Sequence, residues 1–432
     1  MMKGLKETLA SLSSLRNRFE RLLSSAGARR DTPTPPAAQQ LRCRDDFGSN
    51  PGNLRMLSYV PKGLPKGRPL VIALHGCTQT AAVYDHGSGW SNLADRHGFA
   101  VLFPEQQRAN NPNNCFNWFL ASDTRRDQGE ALSIRQMIEC LIQEYGVDRS
   151  RIFVVGLSAG GAMAAAMLAA YPDVFAGGAI IAGLPHGAAT NVQEAFEAMA
   201  GRKTRSAEQW GDLVRAASPH AGPWPRLSVW HGSADAIVNP QNMESILVQW
   251  TKVHRLSLVP SLEHEMHGHK RRVWRSDDDV DVIEAISITG MPHGVPLATT
   301  GIEGIGNAGP FHFDVGLSST HLIAMFWGLA AAAARKEQPV DHAARAFQPE
   351  PVGDTPLLAA RSISPYVHQP SDDAPQGQKV DPSSSGGLDP RAVIAAALKA
   401  AGLLGQPTDN PLDPRRVVTS TLRAAGVLKD ER

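Results

Sequence analysis

An α/β fold, with a mainly parallel sheet covered by helices on both faces, is predicted by three features of the chain. Short apolar runs at residues 70–74, 100–103, 151–155, 178–182, 227–230 and 282–288 have the β-branched character of buried strands. Helical stretches at 91–97, 134–145 and 161–170 fall among them, and such alternation builds parallel strands joined by right-handed crossovers. Between one strand and the next helix lies Gly156-Leu157-Ser158-Ala159-Gly160, a G-x-S-x-G turn. The chain reverses so sharply there that the serine takes a strained backbone angle, and glycine two residues to either side removes Cβ atoms that would collide. A serine raised in this way at the carboxyl edge of a parallel sheet narrows the prediction to an α/β-hydrolase sheet.

Composition excludes several classes. Of 432 residues, 43 are Lys or Arg and 42 are Asp or Glu, so a net charge of +1 supplies no field to gather nucleic acid. No apolar run is long enough to cross a bilayer. Residues 1–23 carry Lys3, Lys6, Arg16, Arg18 and Arg21 but no continuous apolar core or small-residue cleavage site, so they do not read as a secretory signal. Four cysteines are too few for a disulfide scaffold and lack zinc spacing.

Four regions are expected in order. Within residues 1–40, Leu5, Leu9, Leu12, Leu15, Phe19, Leu22 and Leu23 recur at helical steps and make an amphipathic helix, followed by a Pro- and Thr-rich linker. Its apolar face packs on the chain or a partner helix, or attaches to a lipid or polymer surface. Residues 41–335 form the catalytic domain, with its first strand at 55–60. Residues 184–225 leave the strand–helix rhythm, which reads as an insertion that either caps the site or runs over the surface. Residues 336–387, poor in periodicity, form a flexible linker. Residues 388–432 hold a tandem repeat of short helices, each capped by Asp, entered by Pro and ended by Gly, suited to docking on a protein or a polymer granule.

The chemistry follows from the elbow. A serine hydroxyl is not ionised at neutral pH, so it needs a base in reach and a third group to orient that base. In this fold the order along the chain is Ser, then Asp or Glu, then His. Asp235 stands in His231-Gly232-Ser233-Ala234-Asp235, just after the strand at 227–230, and His293 follows the strand at 282–288. The triad Ser158, Asp235 and His293 is the expectation. His264, His267 and His269 suggest a metal at first sight. However, H-E-M-H is one residue short of the H-E-x-x-H spacing, so the stretch reads as a solvated hairpin. No metal or cofactor is called for. An oxyanion hole needs two backbone N–H groups, for which Ala159, after the nucleophile, and Cys77, after the strand at 70–74, are the candidates. Of Trp90, Trp118 and Trp274, Trp118 is kept as a candidate substrate contact.

Together with the elbow, Leu74-His75-Gly76-Cys77-Thr78-Gln79-Thr80, Gly89-Trp90, Phe103-Pro104-Glu105-Gln106, Cys115-Phe116-Asn117-Trp118-Phe119 and Gly309-Pro310-Phe311 resemble the poly(3-hydroxybutyrate) depolymerase family of esterases, from about residue 54 to about residue 329. The resemblance implies a serine carboxylesterase acting on hydroxyalkanoate esters or oligomers, with feruloyl and acetylxylan esterases as relatives and the same triad. It also implies that Cys77 pairs with Cys115, which requires a Cα separation of about 4.4–6.8 Å. It points to a secreted or periplasmic protein, whereas the opening residues fit the cytoplasm. A granule-associated scaffold is the non-enzymatic alternative.

Overall fold

The structure is a computed structural model, and it describes residues 41–330 apart from Ile302. The amphipathic stretch within residues 1–40, the linker at 336–387 and the repeat at 388–432 lie outside the described residues. Strands β1 (Arg42–Arg44), β2 (Arg55–Tyr59), β3 (Leu70–Leu74), β4 (Ala100–Glu105), β5 (Ile152–Leu157), β6 (Gly177–Ile181), β7 (Arg226–Gly232), β8 (Leu262–Met266), β9 (His269–Arg275) and β10 (Asp281–Ile288) form one sheet. Its order is β1-β2-β4-β3-β5-β6-β7-β10-β9-β8. The six strands from β4 to β10 are parallel, while β1–β2 and β9–β8 extend the two sides antiparallel. Two short strands, β11 (Val295–Leu297) and β12 (His312–Asp314), pair apart from it.

Helices cover both faces. They are α1 (Ala81–Ser88), α2 (Trp90–His97), α3 (Ala121–Thr124), α4 (Gly129–Tyr145), α5 (Ala159–Ala170), α6 (Val192–Met199), α7 (Ala207–Arg215), α8 (Gln241–His254) and α9 (Ser319–Phe326). Alternate residues of β3 show the layering. Leu70, Ile72 and Leu74 join Met137, Ile138, Met163, Met167 and Trp250 in one core, and Val71 and Ala73 join Tyr84, Leu93, Ile323 and Trp327 in the other. Every residue of α5 is buried, which its run of Ala, Gly and Met permits because small side chains let a helix lie close to the sheet.

The segment 184–225 is docked rather than free. Its helices α6 and α7 bury Ala198 and Trp210 against Ala162 and Val238, while Asn239 N–H donates to Met199 O at 2.7 Å. The histidine-rich stretch forms the β8–β9 hairpin, turning on His267 (φ 52°) and Gly268 (φ 77°), two left-handed residues that suit a two-residue turn. Trp90 and Trp274 are buried in the two cores, so neither lines a cleft.

Candidate active site

Three parallel strands deliver the site. After β5 the chain turns at Ser158, whose φ of 57° and ψ of −117° lie in a region costing about 1–3 kcal/mol for a non-glycine residue. The flanking glycines make the turn possible. A Cβ on Gly156 would stand 2.1 Å from Gly160 O, and one on Gly160 would stand 2.3 Å from Leu74 O. Ser158 N–H donates to Ile181 O at 2.9 Å, tying the elbow to the neighbouring strand β6.

The loops after β7 and β10 carry Asp235 and His293 and are stitched together. Ser233 N–H donates to Ile288 O, Ala234 N–H to Met291 O and Gly290 N–H to Ser233 Oγ. A Cβ on Gly232 would meet Met291 O at 2.2 Å, so glycine there allows the two loops to close. Asp235 Oδ1 accepts the Ile237 and Val238 N–H groups at 2.9 Å each, and Oδ2 accepts from His293 Nδ1 at 2.7 Å. Since a carboxylate can only accept here, His293 carries its proton on Nδ1 and presents an unprotonated Nε2. Burial alone would raise the Asp235 pKa, but hydrogen bonds from His231 and His293 outweigh it and hold the carboxyl well below the usual range.

Ser158 and His293 both line one narrow pocket of about 20 Å³, together with Gly76, Cys77, Gln79, Leu157, Ile237 and Phe311. No lining residue comes from 184–225. Cys77 sits in the loop after β3, with its sulfur 2.10 Å from that of Cys115 and a Cα separation of 4.3 Å, just below the expected span. Ala159 is the first residue of α5, directly behind Ser158. Trp118 is not part of the pocket lining. It packs edge-on against Phe119 and joins the apolar cluster of α6 and α7, beside Ile237.

Several residues at the site escape sequence reasoning. His231 is buried, with Nε2 at 2.9 Å from Val238 O and 3.2 Å from Asp235 Oδ2, so the carboxylate is held by two imidazoles. Phe311, at φ 61°, stands edge-on to the His293 ring with centroids 6.1 Å apart. Beneath the Cys77 loop lie buried Gln106 and Glu130. Gln106 Nε2 donates to Glu130 Oε1 at 2.5 Å, and Asn117 donates to both Glu130 oxygens. Burial pushes the Glu130 pKa up to about 8, against the pull of those donors. The signal for His231 was its place four residues before Asp235, and Gln106 ended the Phe103-Pro104-Glu105-Gln106 motif without a role attached to it; nothing local marked Glu130.

The profile of the family described as esterase PHB depolymerase matches residues 54–259. The chain is 45% identical over 286 residues to poly(3-hydroxyalkanoate) depolymerase C of Paucimonas lemoignei, covering 66% of this chain and 69% of that protein. It is 33% identical over 290 residues to a probable acetylxylan esterase A of Aspergillus clavatus, covering 63% and 91%. The acetyl xylan esterase from Aspergillus awamori superposes with a TM-score of 0.58 at 25% identity, over 67% of this chain and all of that one. With its mostly parallel sheet and elbow serine, the chain is an α/β-hydrolase and a carboxylic ester hydrolase, and it belongs to the PHB depolymerase family of esterases.

Proposed function

We propose that the protein is a hydroxyalkanoate esterase in which Ser158, His293 and Asp235 form the catalytic triad. The observation that carries this reading is the 2.7 Å bond from His293 Nδ1 to Asp235 Oδ2, which leaves Nε2 as the free base in the pocket it shares with Ser158. Ser158 Oγ attacks the ester carbonyl carbon as His293 Nε2 takes its proton. The N–H groups of Cys77 and Ala159 hold the oxyanion, contributing on the order of 10²-fold each to the rate. Collapse breaks the C–O bond, and His293 returns the proton to the leaving alcohol. Water, deprotonated by the same imidazole, then attacks the acyl-serine; the bond from the acyl carbon to Ser158 Oγ breaks, His293 returns the proton to Oγ, and the acid leaves.

The depolymerase likeness favours hydroxyalkanoate esters or oligomers as substrates, in line with the small, partly apolar pocket built from Leu157, Ile237 and Phe311. The Aspergillus likenesses favour a second reading, acetyl esters of polysaccharides, with the feruloyl esters implied by the sequence resemblance beside them. Contacts to a granule or a partner helix would rest on the termini, outside the described residues. A panel of 3-hydroxybutyrate trimer, methyl ferulate and acetylated xylan separates the readings. Fastest turnover of the trimer is expected; feruloyl or acetylxylan cleavage without trimer cleavage would reject the first reading.

A further inference from the structure

The peptide joining Gly76 to Cys77 is gripped from its carbonyl side. Gly76 O accepts from Gln79 N–H at 3.3 Å and lies 2.8 Å from His75 Nδ1. The His75 tautomer is fixed by its other nitrogen, because Nε2 lies 3.1 Å from the Gln106 N–H, which can only donate. The proton therefore sits on Nδ1 and is donated to Gly76 O. His75 is 1% exposed, and burial lowers its pKa, so it stays neutral and keeps that tautomer.

The grip is anchored from below. Gln106, whose main chain fixes His75, donates through Nε2 to Glu130 Oε1 at 2.5 Å and to Cys115 O at 3.2 Å, and its Oε1 accepts from Asn110 Nδ2 at 2.7 Å. Glu130 is 1% exposed, and it also accepts from Asn117 N and Nδ2. The same buried carboxyl group thus ties down the loop that holds Cys115, while the disulfide ties Cys115 to Cys77. In a trans peptide the C=O and the following N–H point in opposite directions. Drawing Gly76 O inward toward His75 therefore turns the Cys77 N–H outward, to the side where Gly76, Cys77 and Ser158 line the pocket.

We propose that His75 is a positioning residue for the oxyanion hole: its Nδ1–H, set by Gln106 and anchored through Glu130, fixes the Gly76–Cys77 peptide so that the Cys77 N–H meets the developing oxyanion. The proposal rests on the reading of Cys77 as an oxyanion donor. It makes the grip matter for the transition state and not for ground-state binding, so its loss affects kcat and leaves KM alone.

Two variants test it. His75→Leu removes the donor at similar volume, and His75→Asn restores an N–H near the Nδ1 position. Each is compared with the unchanged protein by kcat and KM on p-nitrophenyl butyrate, normalised to the serine titrated by a fluorophosphonate. The affinity of an alkyl trifluoromethyl ketone, which adds to the serine and forms an oxyanion, is measured beside that of the matching alcohol, which does not. For His75→Leu we expect kcat per titrated site to fall about 10²-fold, KM to stay within about twofold and ketone affinity to fall in step with kcat, with His75→Asn regaining about tenfold. Unchanged kcat, a loss confined to KM, unchanged ketone affinity, or no gain from asparagine would each overturn the proposal. If His75→Leu does not fold, Gln106→Met, which cuts the link to Glu130, takes its place; about a tenfold fall in kcat at constant KM supports the proposal, and unchanged kcat rejects it. Failure of the underlying triad is distinguishable, because it would appear as undiminished turnover by Ser158→Ala.

Discussion

His231 lies 3.2 Å through Nε2 from Asp235 Oδ2, the same oxygen that receives the His293 Nδ1–H. The carboxylate assigned to orient the base is therefore itself oriented, from one side by this second imidazole and from the other by the N–H groups of Ile237 and Val238. Val238 O can only accept, so His231 bears its hydrogen on Nε2 and donates. Replacing it by leucine removes the N–H shared between Val238 O and the carboxylate and leaves the three donors Ile237, Val238 and His293. We expect kcat to fall about tenfold with KM little changed, the scale of one charge-assisted hydrogen bond, while His231→Gln, which keeps an N–H near the Nε2 position, retains most of the activity. Steady-state kinetics on a soluble ester checks both.

Asp235→Asn is a harsher change. The amide no longer favours the Nδ1–H form of His293, and turnover should fall by about 10⁴-fold, the size of a wrong-tautomer defect in a serine triad. The Ile237 and Val238 N–H groups remain satisfied by the amide oxygen, so the melting temperature should change far less than the rate. Activity measured beside circular dichroism melts tests the contrast.

Glu130 gives a prediction in pH. Its folded pKa is raised from 4.5 to about 8, chiefly by burial. The native state therefore holds a proton that the unfolded chain has lost between those values, and its stabilising contribution is complete below 4.5 and fades as pH rises through 8. Stability should decline by up to about 1.4 kcal/mol per pH unit in that window from this group. Glu130→Gln, neutral throughout, should flatten the decline, so in urea melts at pH 5, 7 and 9 the stability of the unchanged protein relative to the variant should fall steadily as pH rises. A constant gap would contradict the assignment.

The disulfide should matter for both stability and rate. Cys77 and Cys115 are 38 residues apart, and closing a loop of that size stabilises by about 2–4 kcal/mol. Cys115→Ser is expected to lose stability on that scale and to lower kcat, since Cys77 belongs to the loop beside Ser158. Thermal melts and ester hydrolysis before and after treatment with a thiol reductant check it on the unchanged chain.

How much of this was legible in the sequence depended on how local the cause was. The elbow was plain, because a β-branched run, G-L-S-A-G and an alanine-rich run are all contiguous, and the parallel centre of the sheet followed from strand–helix alternation. That Asp235 and His293 would meet could be expected, because each stands in the loop after an apolar strand of the sheet. Helix α4 was expected from 134 but begins at Gly129, and its first turn carries Glu130, whose carboxyl enters a buried network. Helix α7 lay in a stretch read as irregular, although Ser206 and Gln209 form a capping box that marked its start. Trp118, in a polar loop near the site, looked like a substrate contact; its indole packs on Phe119 and the α6–α7 cluster, which only tertiary packing decides. The roles of Gln106 and Glu130 arise from contacts between loops far apart along the chain, and no spacing in the sequence encodes them.

The hydroxyl of Ser158 is expected to form the acyl-enzyme. The direct measurement is intact-mass and peptide mapping of the protein quenched during turnover of p-nitrophenyl butyrate. One butyryl group is expected on the peptide containing Ser158, absent from Ser158→Ala and accumulating in His293→Ala more slowly than in the unchanged chain. An acyl group on another residue, or hydrolysis by Ser158→Ala at the unchanged rate, would contradict it.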